Sequence, residues 1–144
     1  MAEPTEHDID MDGVSVLERW NSQKRNRLTP RVARASLGEV REAMDLIGYE
    51  PSRLHFIKGM VEDTIPAKAP DQIAMLRLDT DYYASTRQQM FELYPRLARG
   101  GVLIIDDYGH FEGSAKAVHE FLESADEPIL LHRIDHSARV GVKP

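Results

Sequence analysis

The chain has 144 residues, with 18 Lys and Arg against 24 Asp and Glu for a formal net charge of −6, and it contains no Cys. That length is one domain with room for a buried core; the charge balance disfavours wrapping a phosphate backbone, and the lack of thiols excludes disulfides, thiolate metal sites and a cysteine nucleophile. No apolar stretch approaches the roughly 20 residues that cross a bilayer, and the opening residues lack the basic and apolar parts of a signal peptide, so nucleic acid and membrane are set aside as partners and a cytoplasmic setting is expected.

From Glu3 to Gly13 the chain is acidic and irregular, with Pro4 and Gly13 as breakers. Val14, Val16, Leu17 and Trp20 then space an amphipathic helix to about Arg25. Arg19, Lys24, Arg25, Arg27, Arg31 and Arg34 crowd the same window and read as a solvated helix face or a lid over the substrate. Residues 1–35 are therefore expected to be lid-like or flexible, and residues 36–144 to form an α/β core, the whole being a single domain. Ser36 with Glu39 three residues on is a capping box, opening a helix whose stripe is Leu37, Val40, Ala43, Met44 and Ile47 and whose stop is Gly48.

Leu54–Ile57 reads as a short strand, followed by Gly59 and the acidic turn Glu62-Asp63-Thr64. After Pro66 and Pro70 an apolar strand, Ile73–Leu78, ends on Asp79. A helix from about Ala84 to Ala98 follows, with Pro95 kinking or ending it; Arg99-Gly100-Gly101 turns the chain into a second apolar strand ending on Asp106-Asp107. Gly113–Glu123 is another helix, and Ile129–Ile134 with Arg139–Val142 make a hairpin around Asp135-His136-Ser137-Ala138. Alternating strands and helices predict a mostly parallel sheet with right-handed crossovers and a C-terminal antiparallel hairpin.

Two buried strands that each finish in carboxylate place acids at the carboxyl edge of the sheet, where α/β proteins bind ligands. Carboxylates held close repel unless a proton or cation sits among them, and oxygen donors without thiols favour a hard ion such as Mg2+. Asp79, Asp106 and Asp107 are thus the candidate metal ligands, against the plainer reading in which they cap a helix and a turn. His110, just after Asp107-Tyr108-Gly109, is a candidate general base by proximity, against a solvent-facing loop histidine. Tyr82 and Tyr83 either line an acceptor pocket or pack. Bacterial receiver domains also gather acids around Mg2+, but there the pair precedes the single Asp.

Leu76-Arg77-Leu78-Asp79-Thr80-Asp81-Tyr82-Tyr83-Ala84-Ser85-Thr86, Leu93-Tyr94-Pro95-Arg96-Leu97 and Gly100-Gly101-Val102-Leu103-Ile104-Ile105-Asp106-Asp107-Tyr108-Gly109 resemble the macrocin-type O-methyltransferases, which methylate sugar hydroxyls on macrolide antibiotics. Val61–Pro66, Arg133-Ile134-Asp135 and Gly141–Pro144 fit the same family. The resemblance implies a Rossmann-like methyltransferase sheet and a metal-dependent transfer from S-adenosylmethionine to a glycoside of a natural product. It implies Asp79, Asp106 and Asp107 as the metal ligands, and Gly59, Glu62, Asp63 and Asp79 along the cofactor.

Such a protein also has a first strand with a Gly-rich loop for the methionine end of the cofactor, then a second strand ending in an acid. No such loop occurs here, so the first two strands are expected to be missing and Met1 to correspond to an internal methionine of a longer ancestor. The Leu54 strand would then move in beside Ile73–Leu78, the exposed sheet edge would pair with a second copy, or the chain would be poorly stable. The rival functional reading is a non-catalytic methyltransferase remnant that keeps the metal site but not cofactor binding.

Overall fold

The computed structural model describes residues 3–25 and 35–144. Five helices and a four-stranded sheet follow in order: α1 (Val16–Arg25), α2 (Leu37–Ile47), α3 (Val61–Thr64), β1 (Ile73–Leu78), α4 (Tyr83–Leu93), β2 (Leu97–Ile105), α5 (Glu112–Ser124), β3 (His132–Arg133) and β4 (Arg139–Val142). None of these helices is long and apolar enough to cross a membrane.

The sheet order is β1-β2-β4-β3. β1 and β2 are parallel, joined through α4, whereas β2 with β4 and β3 with β4 are antiparallel. Among the described residues the expected C-terminal antiparallel hairpin is present as β3 and β4, whereas the expectation that the sheet is mostly parallel is corrected: one of its three strand pairs is parallel. Parallel pairing requires a crossover, and the α4 segment is the one βαβ crossover within this sheet. The expected strand at Leu54–Ile57 is likewise corrected. Residues 54–58 have no place in the sheet, leaving Ile57 exposed, and β1 keeps an unpaired edge among the described residues. A strand needs a neighbour to receive its N–H and C=O groups, and none is offered there.

Period-two alternation sets the core. Leu76 and Leu78 of β1 lie in register with Leu103 and Ile105 of β2, and all four are buried. Met90 and Leu93 from α4, Val118 and Phe121 from α5, with Tyr94, Leu97 and Ile129, complete one cluster against that face. Each such side chain contributes about 1.5–3 kcal/mol on burial. Met75 on β1 and Val142 on β4 are exposed, so the sheet is covered on one face and bare where these residues lie.

α4 is shorter than expected, ending at Leu93 in a 3-10 turn, Tyr94–Arg96, that carries Pro95. β2 correspondingly begins early and absorbs Arg99-Gly100-Gly101. Two residues along β1, Ile73 to Met75, match five along β2, Leu97 to Val102, with Gly100 at φ +76° in the excursion. α2 forms as its capping box demands: Glu39 N–H donates to Ser36 Oγ at 3.2 Å, Ser36 N–H to Glu39 Oε2 at 2.6 Å, and Gly48 adopts the left-handed stop. Of its expected apolar stripe, however, Leu37, Val40 and Ile47 are exposed and Met44 is half-buried; Leu46, off the stripe, is exposed too, and no residue of the helix is fully buried.

Residues 3–16 dock onto the carboxyl end of the sheet. Ile9 bridges Ser15, Asp10 bridges Phe111, and Glu112 N–H donates to Ile9 O at 2.9 Å. Asp8, fully buried, accepts from Thr5 N–H at 2.6 Å, Thr5 Oγ at 3.0 Å and Tyr83 N–H at 2.8 Å. Gly113 lets α5 approach: a Cβ there would run into the Asp8 carboxylate and stand 3.0 Å from Tyr83 Cβ. In the basic window Arg19 pairs with Asp10, while Arg27, Arg31 and Arg34 lie outside the described residues.

Candidate metal centre

The parallel register puts Leu78 beside Ile105, so the next residues of each strand, Asp79 and Asp106, emerge side by side. Asp106 N–H donates to Leu78 O at 2.9 Å, extending the ladder by one bond. Asp107 turns the chain, its carbonyl accepting from His110 N–H at 3.1 Å and Phe111 N–H at 3.0 Å. Carboxylate oxygens of Asp79, Asp106 and Asp107 all lie within 4.8 Å of one another.

Two further charges belong to this cluster. Arg77 Nη2 stands 2.9 Å from Asp79 Oδ2 and 3.0 Å from Asp106 Oδ1, and both carboxylates raise the guanidinium's pKa further. Asp81 holds a left-handed backbone, φ +65°, which aims its N–H at Asp107 Oδ2, 3.1 Å away. Asp107 is pushed up to about 7, first by burial and next by the Asp81 charge, with Asp79 and Asp106 adding to it and the Asp81 N–H opposing it. Asp81 is also raised, by burial and then by Asp79. Asp79, Asp106 and Asp107, with Arg77 against two of them and Asp81 beside Asp107, form a negative group whose donor set, carboxylate throughout, fits a hard divalent ion.

Alongside lies a cleft of about 230 Å3 lined by Gly59, Met60, Val61, Glu62, Asp79, Thr80 and Ser85. Glu62 Oε1 accepts from Ser85 Oγ at 2.6 Å, while Glu62 Oε2 is buried with no hydrogen-bond partner among the described residues. Gly59, at φ +150°, has Thr64 Cγ2 only 2.6 Å from where a Cβ would stand. Gly59, Glu62 and Asp79 thus meet along one wall. Asp63 does not join them; it is exposed on α3.

His110 is half-buried against Phe111, ring centroids 4.5 Å apart. Tyr82 is buried edge-on to Phe111 at 5.6 Å, and Tyr83 donates its hydroxyl to Glu120 at 2.8 Å. Arg77 and Asp81 were missed by the sequence reading. The signal for Arg77 was present, since a residue two before Asp79 shares its side of an extended chain; Asp81 reaches the cluster through its left-handed turn instead.

Sheet, crossover and acidic edge define an α/β protein with a candidate ligand site at the carboxyl ends of two adjacent parallel strands. The Macrocin-O-methyltransferase (TylF) family matches residues 12–140, and the chain belongs to that family. Demethyldecarbamoylnovobiocin O-methyltransferase of Streptomyces niveus is 32% identical over 129 residues, covering 88% of this chain and 48% of that protein. Mycinamicin III 3''-O-methyltransferase of Micromonospora griseorubida is 36% identical over 86 residues, 60% of this chain and 34% of that protein. The solved structure of the O-methyltransferase NovP superposes with a TM-score of 0.74 at 28% identity, covering 95% of this chain and 56% of that one. The chain therefore spans about a third to a half of the length of the curated relatives it matches.

Proposed function

We propose that this chain carries the metal-binding and part of the cofactor-binding machinery of an O-methyltransferase that moves a methyl group from S-adenosylmethionine to a sugar hydroxyl of a natural product. The observation that carries the reading is the convergence of Asp79, Asp106 and Asp107 within 4.8 Å in a chain of this family. A bound Mg2+ would supply Lewis acidity, lowering the pKa of a coordinated sugar hydroxyl. Asp79, Asp106 and Asp107 would hold the ion and thereby orient the acceptor toward the cofactor. Gly59 and Glu62 would form the cofactor wall, with Glu62 Oε2 free to accept a hydrogen bond and Asp63 at the outer rim. His110, four residues after Asp106, would receive the hydroxyl proton.

The curated relatives act, by their names, on glycosylated or antibiotic substrates, which supports a small-molecule glycoside as the acceptor class. The unpaired edge of β1 favours self-association through strand pairing. A second reading is a non-catalytic remnant that binds the ion without S-adenosylmethionine: the three acids converge within 4.8 Å, whereas the cleft beside Asp79 is only about 230 Å3.

Calorimetry of the full chain with Mg2+, then with S-adenosylmethionine in saturating Mg2+, separates these readings. Binding of both, followed by label transfer from methyl-labelled cofactor to a rhamnosylated acceptor, is expected for the enzyme. Ion binding alone supports the remnant, and a folded chain that binds neither overturns both.

A further inference from the structure

The three carboxylates that form the candidate centre already have a cation among them. Arg77 Nη2 lies 2.9 Å from Asp79 Oδ2 and 3.0 Å from Asp106 Oδ1, one nitrogen bridging the ends of two strands. Among the described residues, no other basic group pairs with either acid. We propose that Arg77 is the resident counter-cation of this site and is expelled when a divalent ion binds, so that the centre is loaded by exchange of one cation for another. The inference rests on the metal-site reading above and adds to it a residue that governs affinity without being a ligand.

Mg2+ takes oxygens at about 2.0–2.1 Å and demands near-octahedral geometry. Drawing Asp79 Oδ2 and Asp106 Oδ1 onto an ion removes the acceptors that hold Nη2 and sets a dication against a guanidinium. Arg77 cannot relieve that repulsion by releasing a proton, because its side chain stays charged in proteins. It can relieve it by moving. The side chain is already 56% exposed, and Met75, two residues before it on β1, presents apolar surface along which the aliphatic stem can lie while the head enters water. Without an ion, the guanidinium instead keeps two strand-end carboxylates together that would otherwise push β1 and β2 apart at their carboxyl ends.

The sign of one measurement decides. Divalent-ion titration of the metal-free full chain by calorimetry, with Mg2+ and with Mn2+, is compared for the parent and Arg77→Met. Expulsion predicts about tenfold tighter binding in the variant, the order of a screened repulsion removed at an exposed site, together with a lower melting temperature of the metal-free form. Arg77→Lys, which keeps the charge but loses the fork, is expected between the two. Equal or weaker binding by Arg77→Met overturns the inference, since a guanidinium that stays to orient the ligands would give that result.

Should Arg77→Met fail to fold, the unaltered protein answers instead. The 15N-detected guanidinium signals of Arg77 are expected to shift from a restrained to a freely rotating state on saturation with Mg2+, and signals that stay restrained overturn expulsion. A folded parent that binds no divalent ion defeats the metal-site reading and this inference with it; a parent that binds while Arg77→Met binds no tighter defeats only the latter.

Discussion

Asp8 ties the N-terminal segment to the start of α4, and replacing it with Ala is the sharpest test of that attachment. The substitution leaves three donors without an acceptor: Thr5 N–H, the Thr5 hydroxyl and Tyr83 N–H, the last belonging to the first turn of α4. Hydrogen bonds to a charged group contribute about 1.5–3 kcal/mol each when one partner is deleted, and losing an acceptor at a helix start costs about 1 kcal/mol. These losses share one site and do not add in full. Thr5 donors can turn to water, so about 3 kcal/mol is expected, or roughly 6–12 °C in melting temperature for a domain of this size. Asp8→Asn keeps an acceptor for Tyr83 N–H and is expected to lose about half as much. Urea denaturation of parent and both variants, monitored by far-ultraviolet circular dichroism, gives the free energies directly. A loss under about 0.5 kcal/mol for Asp8→Ala would refute the attachment, as would equal losses for the two variants.

Asp107 gives a pH signature in the metal-free protein. Its folded pKa of about 7 lies above the ordinary 3.8, so the stability it contributes is complete below 3.8 and is lost as pH rises through 7. The interval corresponds to at most about 4 kcal/mol, cut by solvent screening of a half-buried group to about 1–2 kcal/mol. Scanning calorimetry in chelator between pH 5 and 8.5 should therefore show the parent losing more stability than Asp107→Asn, and parallel curves would contradict it. Asp79→Asn should weaken Mn2+ binding more than tenfold, read by electron paramagnetic resonance; undiminished affinity would remove Asp79 from the ligand set. Leu46, 90% exposed on α2, should tolerate Glu within about 0.5 kcal/mol in chemical denaturation, whereas a large loss would mean that α2 is covered.

Elements whose signals are local were legible in the chain. The Ser36/Glu39 box and Gly48 bounded α2, the two apolar runs gave β1 and β2, α4 began where expected though it ended five residues early, and α5 formed within a residue of its expected limits. The convergence of Asp79 with Asp106 and Asp107 followed from strand ends joined by one crossover. Features that depend on partners were not legible. Leu54–Ile57 has a strand's composition but no neighbour to pair with, and the extent of β2 depends on Lys143, whose carbonyl accepts from Gly100 N–H and whose N–H donates to Gly101 O. Nor does spacing foretell the left-handed turn at Asp81, a backbone conformation that the tertiary context of Asp107 sustains.

The register of β1 against β2 has a practical corollary. Because Asp106 and Asp107 are consecutive, sliding one strand past the other by a single residue would exchange which of them stands next to Asp79, and the alternation of side chains would turn Leu103 and Ile105 out of the interior at the same stroke. On the proposed metal-site reading, ion affinity would gauge correct strand alignment as well as chemistry. Refolding experiments could follow native topology by the uptake of a paramagnetic ion, with no label attached to the polypeptide.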